Sequence, residues 1–185
     1  MGINRSIRRA VFLDRDGVIN RAIVLEGRPY PPADLAQVQL LPGVTTALQE
    51  LKAAGYLLIV VTNQPDVARG TQSRAAVEAI HERLASELPI DDFLACYHDD
   101  SDSCECRKPK AGLLFEAALE HGVNLQASVM VGDRWRDIEA GRRAGCRTVF
   151  VDYGYAEQRP ENPDLVVASL EEATEWILSI RAPFK

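Results

Sequence analysis

The chain has 185 residues, 46% of them hydrophobic, with 27 acidic and 21 basic side chains and a formal net charge of -6. This length suits one domain with a sizeable core, so residues 1–185 are expected to form a single domain. No apolar run approaches the roughly 18 residues that cross a bilayer, and no secretory segment follows the N-terminus. The sequence therefore predicts a cytoplasmic protein with no membrane partner, and the lack of a long basic block argues against nucleic acid.

Short apolar runs rich in β-branched residues alternate with segments of helical period along the chain. Because the runs lack the polar alternation of half-exposed strands, they predict strands covered on both faces, as in a parallel sheet. Helices between them would supply the crossover connections. The predicted fold class is α/β, a doubly wound and mostly parallel sheet without a large cap domain. The predicted strands are residues 10–13, 56–61, 93–97, 129–131, 148–151 and 165–167.

Five helices are predicted in the gaps, most of them with a cap or a stop residue at an end. They begin after Gly43, after Ser73, near Lys110, near Trp135 and near Leu170. Residues 17–32 depart from the alternation of strand and helix. There, the apolar stretch 23–25 and the following Glu26 and Gly27 predict a small hairpin flap over the carboxyl end of the first strand.

Two carboxylates, Asp14 and Asp16, follow the first strand, and Gly17 permits a tight turn after them. Ligands of open α/β sheets bind at the carboxyl ends of the strands. Two positions apart on an extended segment, the carboxylates repel each other unless a proton or a cation separates them. A divalent metal would leave one as a nucleophile toward phosphorus and the other as a general acid and base. A solvated turn is the alternative interpretation.

Polar and cationic groups follow two further strands. Thr62 and Asn63 end the second strand and can donate hydrogen bonds to phosphate oxygens. Arg107 and Lys108 lead into the third helix as adjacent cations, which suits them to fix and neutralise a phosphoryl group. Each pair, taken alone, is equally typical of ordinary surface residues.

A third acidic position, Asp133, follows the fourth strand, with Arg134 beside it and Asp137 one helical turn further on. That spacing puts the two carboxylates on one side of the chain, with Asp133 free to complete a metal site that Asp14 opens.

The order of these groups, Asp-x-Asp-Gly, then Thr, then Lys, then Gly-Asp with a second Asp, resembles the haloacid dehalogenase (HAD) superfamily of aspartate-nucleophile phosphatases. The resemblance covers residues 11 to about 151. More narrowly, the chain is similar to the branch of D-glycero-D-manno-heptose 1,7-bisphosphate 7-phosphatases and histidinol-phosphatases. The stretches that carry this similarity are FLDRDGVIN at 12–20, TNQ at 62–64, RG at 69–70 and CECRKP at 104–109.

The resemblance implies that Asp14 forms an aspartyl phosphate and that Asp16 protonates the leaving alcohol and then activates water. It implies that Thr62 and Lys108 hold the phosphoryl group. Mg²⁺ would lie between the Asp14 carboxylate, the Asp16 backbone carbonyl and Asp133. By the same resemblance Arg107 recognises the substrate and Arg134 reaches a second substrate phosphate.

Three cysteines and a histidine lie close together in the sequence and form a complete tetrahedral set for structural zinc: Cys96, His98, Cys104 and Cys106. Such a zinc would shape the loop that delivers Arg107 and Lys108. Buried free cysteines beside a surface histidine are the alternative. Of the remaining candidates, His81 and His121 are expected to be solvated or helix-capping, and Cys146 to be a small core residue.

The predicted partner is a small phosphorylated metabolite bound by a monomer, with heptose 1,7-bisphosphate as the predicted substrate. Only five residues join the two pairs of zinc ligands, fewer than in the typical heptose enzyme, and three of them are Asp99, Asp100 and Asp102. This acidic stretch favours a cationic substrate, so histidinol phosphate is an alternative. A receiver-like signalling domain that carries phosphate on Asp is an alternative from another class, against which Asp16 and the zinc loop argue.

Overall fold

The structure is a computed structural model, and it describes residues 8–180. Its eight strands are β1 (Ala10–Leu13), β2 (Ile23–Leu25), β3 (Arg28–Tyr30), β4 (Leu57–Asn63), β5 (Asp92–Cys96), β6 (Val129–Gly132), β7 (Arg147–Val151) and β8 (Leu165–Val167). Six of them form one sheet in the order β5-β4-β1-β6-β7-β8, and each pair of neighbours is parallel. The doubly wound parallel sheet that the sequence predicts is confirmed, with β1 near its centre.

Five helices cover the two faces of this sheet: α1 (Val44–Ala53), α2 (Arg74–Glu87), α3 (Gly112–His121), α4 (Trp135–Ala144) and α5 (Leu170–Ser179). Successive side chains of a strand point to opposite faces. Val11 and Leu13 of β1 therefore pack in the core that α1, α2 and α5 close. Phe12 packs in the second core, beneath α3 and α4. Among residues 8–180, none of the helices combines the length and the apolar character that a bilayer crossing requires.

The predicted ends of the elements are close to the observed ones. Ser73 caps α2, because its hydroxyl accepts a hydrogen bond from the Ala76 backbone N–H at 3.1 Å. Gly122 and Gly145 end α3 and α4 in the left-handed conformation that glycine adopts without strain. Strand β4 is two residues longer at its end than predicted, because Thr62 and Asn63 continue the ladder with β5. The sequence had placed these two residues just after the strand.

The hairpin flap is also confirmed. Strands β2 and β3 pair antiparallel, and the two residues between them, Glu26 and Gly27, have φ angles of 50° and 76°. Two positive φ angles in succession are typical of the tight turns whose twist matches that of the flanking strands. Residues of β3 line a cleft at the carboxyl end of the main sheet. The flap therefore forms one wall of the cleft that contains Asp14.

Candidate active site

The carboxyl ends of the three central strands bring the predicted acidic and polar groups together. Strand β1 lies between β4 and β6, so Asp14, Thr62 and Asp133 lie at the ends of neighbouring strands. The Asp14 backbone N–H donates to the Val131 carbonyl oxygen at 3.0 Å, which extends the pairing of β1 and β6 to the nucleophile candidate itself. The Asp14 carboxylate thus lies on the floor of a cleft of about 220 Å³.

A buried lysine holds that carboxylate. The ammonium of Lys108, whose side chain is 2% exposed, donates to Asp14 Oδ1 at 2.8 Å and to the Val61 carbonyl oxygen at 2.7 Å. Its third partner is Asp137 Oδ1 at 2.6 Å. All three hydrogens of the ammonium therefore have an acceptor within the protein. The structure places Lys108 against Asp14, and it gives Asp137 a contact that the sequence did not assign.

The charges of this cluster shift the pKa values of its members. Burial raises the pKa of Asp14 to about 6, although the Lys108 charge opposes the shift. Burial also works against the charged form of Lys108, but the attraction of Asp137 and Asp14 is larger and raises the pKa of the ammonium above its usual range. Lys108 therefore stays cationic at neutral pH, where it can balance negative charge on a bound phosphoryl group.

Asp16, the predicted acid and base, is held by three neighbouring side chains. Its carboxylate accepts two hydrogen bonds from the Arg15 guanidinium, at 3.1 and 3.0 Å. Asn20 and Gln64 donate one hydrogen bond each, both at 2.9 Å. Burial favours the neutral form, but the Arg15 charge and these hydrogen bonds outweigh it and keep the pKa of Asp16 below its usual value. This environment stabilises the ionised form, which is the form that a general base needs.

His81 is buried against Arg15, the residue that holds Asp16. The prediction that His81 is solvated or helix-capping is therefore wrong. Arg15 is fully buried, and its Nη1 lies 3.1 Å from the Nε2 of His81. The His81 ring is itself buried and stacks on Phe93, with ring centroids 4.8 Å apart. Burial and then the nearby Arg15 charge lower the pKa of His81 to about 4. The imidazole is therefore neutral at pH 7 and can accept a hydrogen bond from Arg15.

The His81 pKa predicts a specific loss of stability in acid. The unfolded chain binds a proton at this imidazole below pH 6.5, whereas the folded protein does so only near pH 4. Stability is therefore lost as the pH falls through this window, by up to about 3 kcal/mol for this group. We expect the free energy of unfolding of His81→Gln, measured in urea, to fall less than that of the parent between pH 6.5 and 4. The amide oxygen of the new side chain can still accept a hydrogen bond from Arg15. Equal losses in the two proteins would contradict the assignment.

Asp133 and its surroundings form a cradle that suits a cation. Asp133 is buried, and neither of its carboxylate oxygens has a hydrogen-bond partner among the described residues. Burial and then the charges of Asp14 and Asp137 raise the pKa of Asp133 well above its usual value. A Cβ on Gly17, whose φ is +92°, would lie 1.9 Å from Asp133 Oδ2, so only glycine fits at this turn. Two unpartnered carboxylate oxygens beside a second carboxylate are an oxygen donor set that Mg²⁺ accepts.

The carboxylates that lie close enough to share one ion are Asp14, Asp133 and Asp137, with one oxygen of each within 4.8 Å of the others. Asp137 is engaged through both of its oxygens, because Oδ1 binds Lys108 and Oδ2 accepts from the Arg134 backbone N–H at 3.0 Å. Lys108 holds Asp14 through Oδ1. Asp133 and the second oxygen of Asp14 are therefore the donors best placed to take an ion.

The predicted phosphate donors at the end of β4 have protein partners. The Thr62 hydroxyl is buried and accepts a hydrogen bond from Gln64 Nε2 at 2.9 Å. The Asn63 side chain clamps the Lys108 backbone, donating to its carbonyl oxygen and accepting from its N–H, both at 3.0 Å. Asn63 thus positions the lysine segment, and its contact with phosphate stays a prediction.

Arginines dominate the mouth of the cleft. Arg107 donates to Asp100 Oδ1 at 2.8 Å, and Arg136 donates to the same oxygen at 3.2 Å. Arg134, the candidate for a second phosphate, is paired through its guanidinium with Glu157. The arginines that line the cleft are Arg28, Arg69, Arg107, Arg134 and Arg136. Six acidic side chains line the same cleft. An anionic ligand would therefore bind there by taking the place of a carboxylate that now pairs with an arginine.

The four predicted zinc ligands come together behind this mouth, with one donor atom of each within 4.8 Å of the others. Cys106 Sγ lies 3.4 Å from Cys104 Sγ and 3.2 Å from His98 Nδ1. Cys96 Sγ lies 3.6 Å from Cys104 Sγ. Cys106 Sγ also lies 2.9 Å from Cys96 Sγ, and the three cysteines form no disulfide with one another. The four donor atoms thus converge on one point, as the ligands of a structural zinc do. The structure therefore shows a cluster that can bind a metal.

Besides His81, Asn20 and Asn63, the site residues whose contacts the sequence reasoning did not assign are Arg15, Gln64, Asp137 and Arg136. Arg15 stands between the two aspartates, and Gln64 follows Thr62 by two positions, so both were within the motifs already considered. Asp137 was noted for its spacing alone. Arg136 had no signal in the sequence, because its partner Asp100 is 36 positions away.

Comparisons with known proteins agree with this geometry. The HAD-hydrolase-like family model matches residues 105–173. Over 95% of this chain and 98% of the relative, the chain is 35% identical to the D-glycero-D-manno-heptose-1,7-bisphosphate 7-phosphatase of Thermosynechococcus vestitus. It is 33% identical to the D-glycero-beta-D-manno-heptose-1,7-bisphosphate 7-phosphatase of Pasteurella multocida, over 95% of this chain and all of the relative.

The chain belongs to the heptose bisphosphate phosphatase family of the HAD superfamily.

A solved structure supports the same assignment for the fold. The D,D-heptose 1,7-bisphosphate phosphatase of B. bronchiseptica, crystallised with magnesium and phosphate, superimposes with a TM-score of 0.75 at 28% identity. The match covers 94% of this chain and 99% of the other. The superfamily, the fold class and the phosphatase class that the sequence predicts for this chain are thus confirmed.

Proposed function

We propose that the protein is a Mg²⁺-dependent phosphomonoester hydrolase, with D-glycero-D-manno-heptose 1,7-bisphosphate or a close sugar phosphate as substrate. The observation that carries the proposal is the Asp14 carboxylate, held by the buried Lys108 at the floor of an arginine-lined cleft. Relatives that share a third of its residues are named for the same substrate. The predicted single-domain monomer and cytoplasmic location stay predictions.

In the first step, an oxygen of the Asp14 carboxylate attacks phosphorus, and the bond between phosphorus and the ester oxygen breaks. The Lys108 charge balances that of the transferring group, and the Thr62 hydroxyl donates to one of its oxygens, because positioning and charge neutralisation provide most of the catalysis in such reactions. Asp16 gives its proton to the departing alkoxide. An incoming phosphate dianion adds negative charge beside Asp16, which raises the pKa of Asp16 and favours the protonated form.

In the second step, Asp16 accepts a proton from water as the water oxygen attacks phosphorus. The bond between phosphorus and Asp14 then breaks, which releases inorganic phosphate and restores both carboxyl groups to their first state. Asp16 is kept in place during both transfers by hydrogen bonds from Arg15, Asn20 and Gln64. His81 in turn contacts Arg15.

Asp14, Asp133 and the backbone carbonyl of Asp16 would hold the Mg²⁺. When bound, the ion relieves the repulsion among the buried carboxylates and neutralises charge on the phosphoryl oxygens. The two unpartnered oxygens of Asp133 support this assignment.

Cys96, His98, Cys104 and Cys106 would hold a structural Zn²⁺. Four protein ligands leave no open position for water, so the ion would serve to order the loop. That loop leads directly into Arg107 and Lys108, whose positions the chemistry requires.

Histidinol phosphate, the alternative substrate, carries an ammonium group beside its phosphate, and the acidic stretch 99–102 is the feature that favoured it. In the structure, Asp99 accepts two hydrogen bonds from Arg69, and Asp100 accepts from Arg107 and Arg136. Both carboxylates are thus paired with arginines of the cleft. These two carboxylates are therefore not free to attract the ammonium group of histidinol phosphate, and the feature that favoured this substrate loses its force.

A phosphate-release assay tests the proposal. We expect turnover of the heptose bisphosphate to require added Mg²⁺ and to exceed the turnover of histidinol phosphate. A zinc chelator followed by Mg²⁺ replacement should lower the melting temperature, because the loop loses its bound metal. Equal turnover with and without Mg²⁺, or a preference for histidinol phosphate, would contradict the proposed function.

A further inference from the structure

Asp100 lies between two arginines of the cleft. One oxygen of its carboxylate, Oδ1, accepts hydrogen bonds from both Arg107 and Arg136. Its side chain lines the same cleft as Asp14. Two guanidinium groups that converge on a single oxygen provide the charge and the donors that a phosphate oxygen takes in proteins.

The two arginines are fixed by contacts other than Asp100. The Arg107 side chain is 11% exposed, and its Nη1 also donates to the His98 carbonyl oxygen at 3.3 Å. The Arg136 guanidinium lies over the Trp135 ring, 5.0 Å from its centroid. The site they form therefore does not depend on Asp100 for its shape.

Asp100, by contrast, is replaceable. Its side chain is 57% exposed, so water solvates the carboxylate when it leaves the arginines. It begins a single 3-10 turn, residues 100–102, which is closed by reciprocal hydrogen bonds between Asp99 and Asp102 rather than by the Asp100 side chain. Because the carboxylate of each pair is largely solvated, the two ion pairs contribute little to stability, and a competing anion can replace Asp100.

We propose that Asp100 is a specificity-determining residue: its carboxylate competes with a second anionic group of the substrate for the site formed by Arg107 and Arg136. This inference rests on the proposed phosphatase function and adds to it. A substrate with one phosphate places that group at Asp14 and leaves Asp100 where it is. A substrate with a second phosphate must displace Asp100, so the carboxylate lowers the preference of the enzyme for bisphosphates over monophosphates.

The test compares Asp100→Asn with Asp102→Asn, which removes the same charge from the same turn outside the cleft. The measured quantity is kcat/KM for glucose 1,6-bisphosphate divided by kcat/KM for glucose 6-phosphate, at low ionic strength with Mg²⁺. We expect Asp100→Asn to raise this ratio about fivefold, since the carboxylate's two ion pairs are lost and its repulsion of the second phosphate is removed. Asp102→Asn should leave the ratio within about twofold, because that carboxylate lies outside the cleft.

A double variant tests whether Asp100 acts by competing with the second phosphate for the arginines. In Asp100→Asn/Arg136→Gln, the gain should disappear, because the site that the second phosphate enters has lost one of its arginines. An unchanged ratio in Asp100→Asn, a ratio that falls, or an equal rise in Asp102→Asn would each overturn the inference.

The same assays keep the two proposals apart. If the enzyme hydrolyses the heptose bisphosphate but the ratio does not respond to Asp100→Asn, the specificity inference fails and the function stands. If the ratio responds but the heptose bisphosphate is not a substrate, the inference stands and the proposed substrate fails.

Discussion

Replacement of Asp14 by Asn is expected to abolish multiple turnover of sugar phosphates. An amide nitrogen or oxygen is a poor nucleophile toward phosphorus, so the covalent step is lost, and kcat should fall by at least about four orders of magnitude. The fold should persist, because the amide oxygen of the new side chain can still accept from Lys108 and one charge among three clustered carboxylates has been removed. Phosphate release and acid-quench detection of protein-bound phosphate measure the two steps.

The matched control is Asp66→Asn. Asp66 lines the same cleft, but its carboxylate is paired with Arg69 rather than with the lysine. Its kcat should stay within about threefold of the parent, since an exposed pair carries little energy. Residual activity of Asp14→Asn within a hundredfold of the parent, or protein-bound phosphate in that variant, would rule out Asp14 as the nucleophile.

Replacement of Lys108 by Met should cost both activity and stability. The variant leaves the carboxylates of Asp14 and Asp137 buried with no cation between them, a loss that typically costs about 3 to 5 kcal/mol. Activity should fall by about two to three orders of magnitude, because the charge that balances the phosphoryl oxygens is gone. Urea unfolding without added divalent cations measures the stability.

Two further variants sharpen this result. Asp137→Asn in the Lys108→Met background should restore about 1 to 2 kcal/mol, because it removes one of the unpaired charges. Lys110→Met is the matched control: that ammonium is 38% exposed, pairs with Glu105 and donates to the Cys104 carbonyl oxygen at 2.8 Å, so its loss should cost only about 1 kcal/mol. If the two lysine variants lost equal stability, the buried contacts of Lys108 with Asp14 and Asp137 would contribute no more than a surface ion pair.

Local patterns were sufficient for the sheet and for the order of the site. The run at residues 10–13 has four consecutive buried side chains, as expected of a strand covered on both faces, and β1 has the predicted bounds. The carboxyl-end rule then placed Asp14, Thr62 and Asp133 together, because they lie at the ends of neighbouring parallel strands.

Contacts between distant segments could not be read in the same way. His81 has the spacing of an ordinary helical residue, and only the tertiary structure brings Arg15 against its ring, 66 positions away in sequence. Asn63 looked like a phosphate donor because of its place at a strand end, and the structure shows its amide on the backbone of Lys108. In both cases the partner is set by the packing of whole elements, which the local sequence does not encode.

The separation of Asp14 from its lysine affects how the protein matures during synthesis. Asp14 is made early, and the ammonium that holds it is encoded 94 residues later, with Asp137 later still. Until that last segment leaves the ribosome, Asp14 lacks the cation that holds its carboxylate in the folded protein, and Lys108 lacks its second carboxylate. Contacts of such long range also slow folding, because a long loop must close before they form. Catalytic competence therefore appears in one late event.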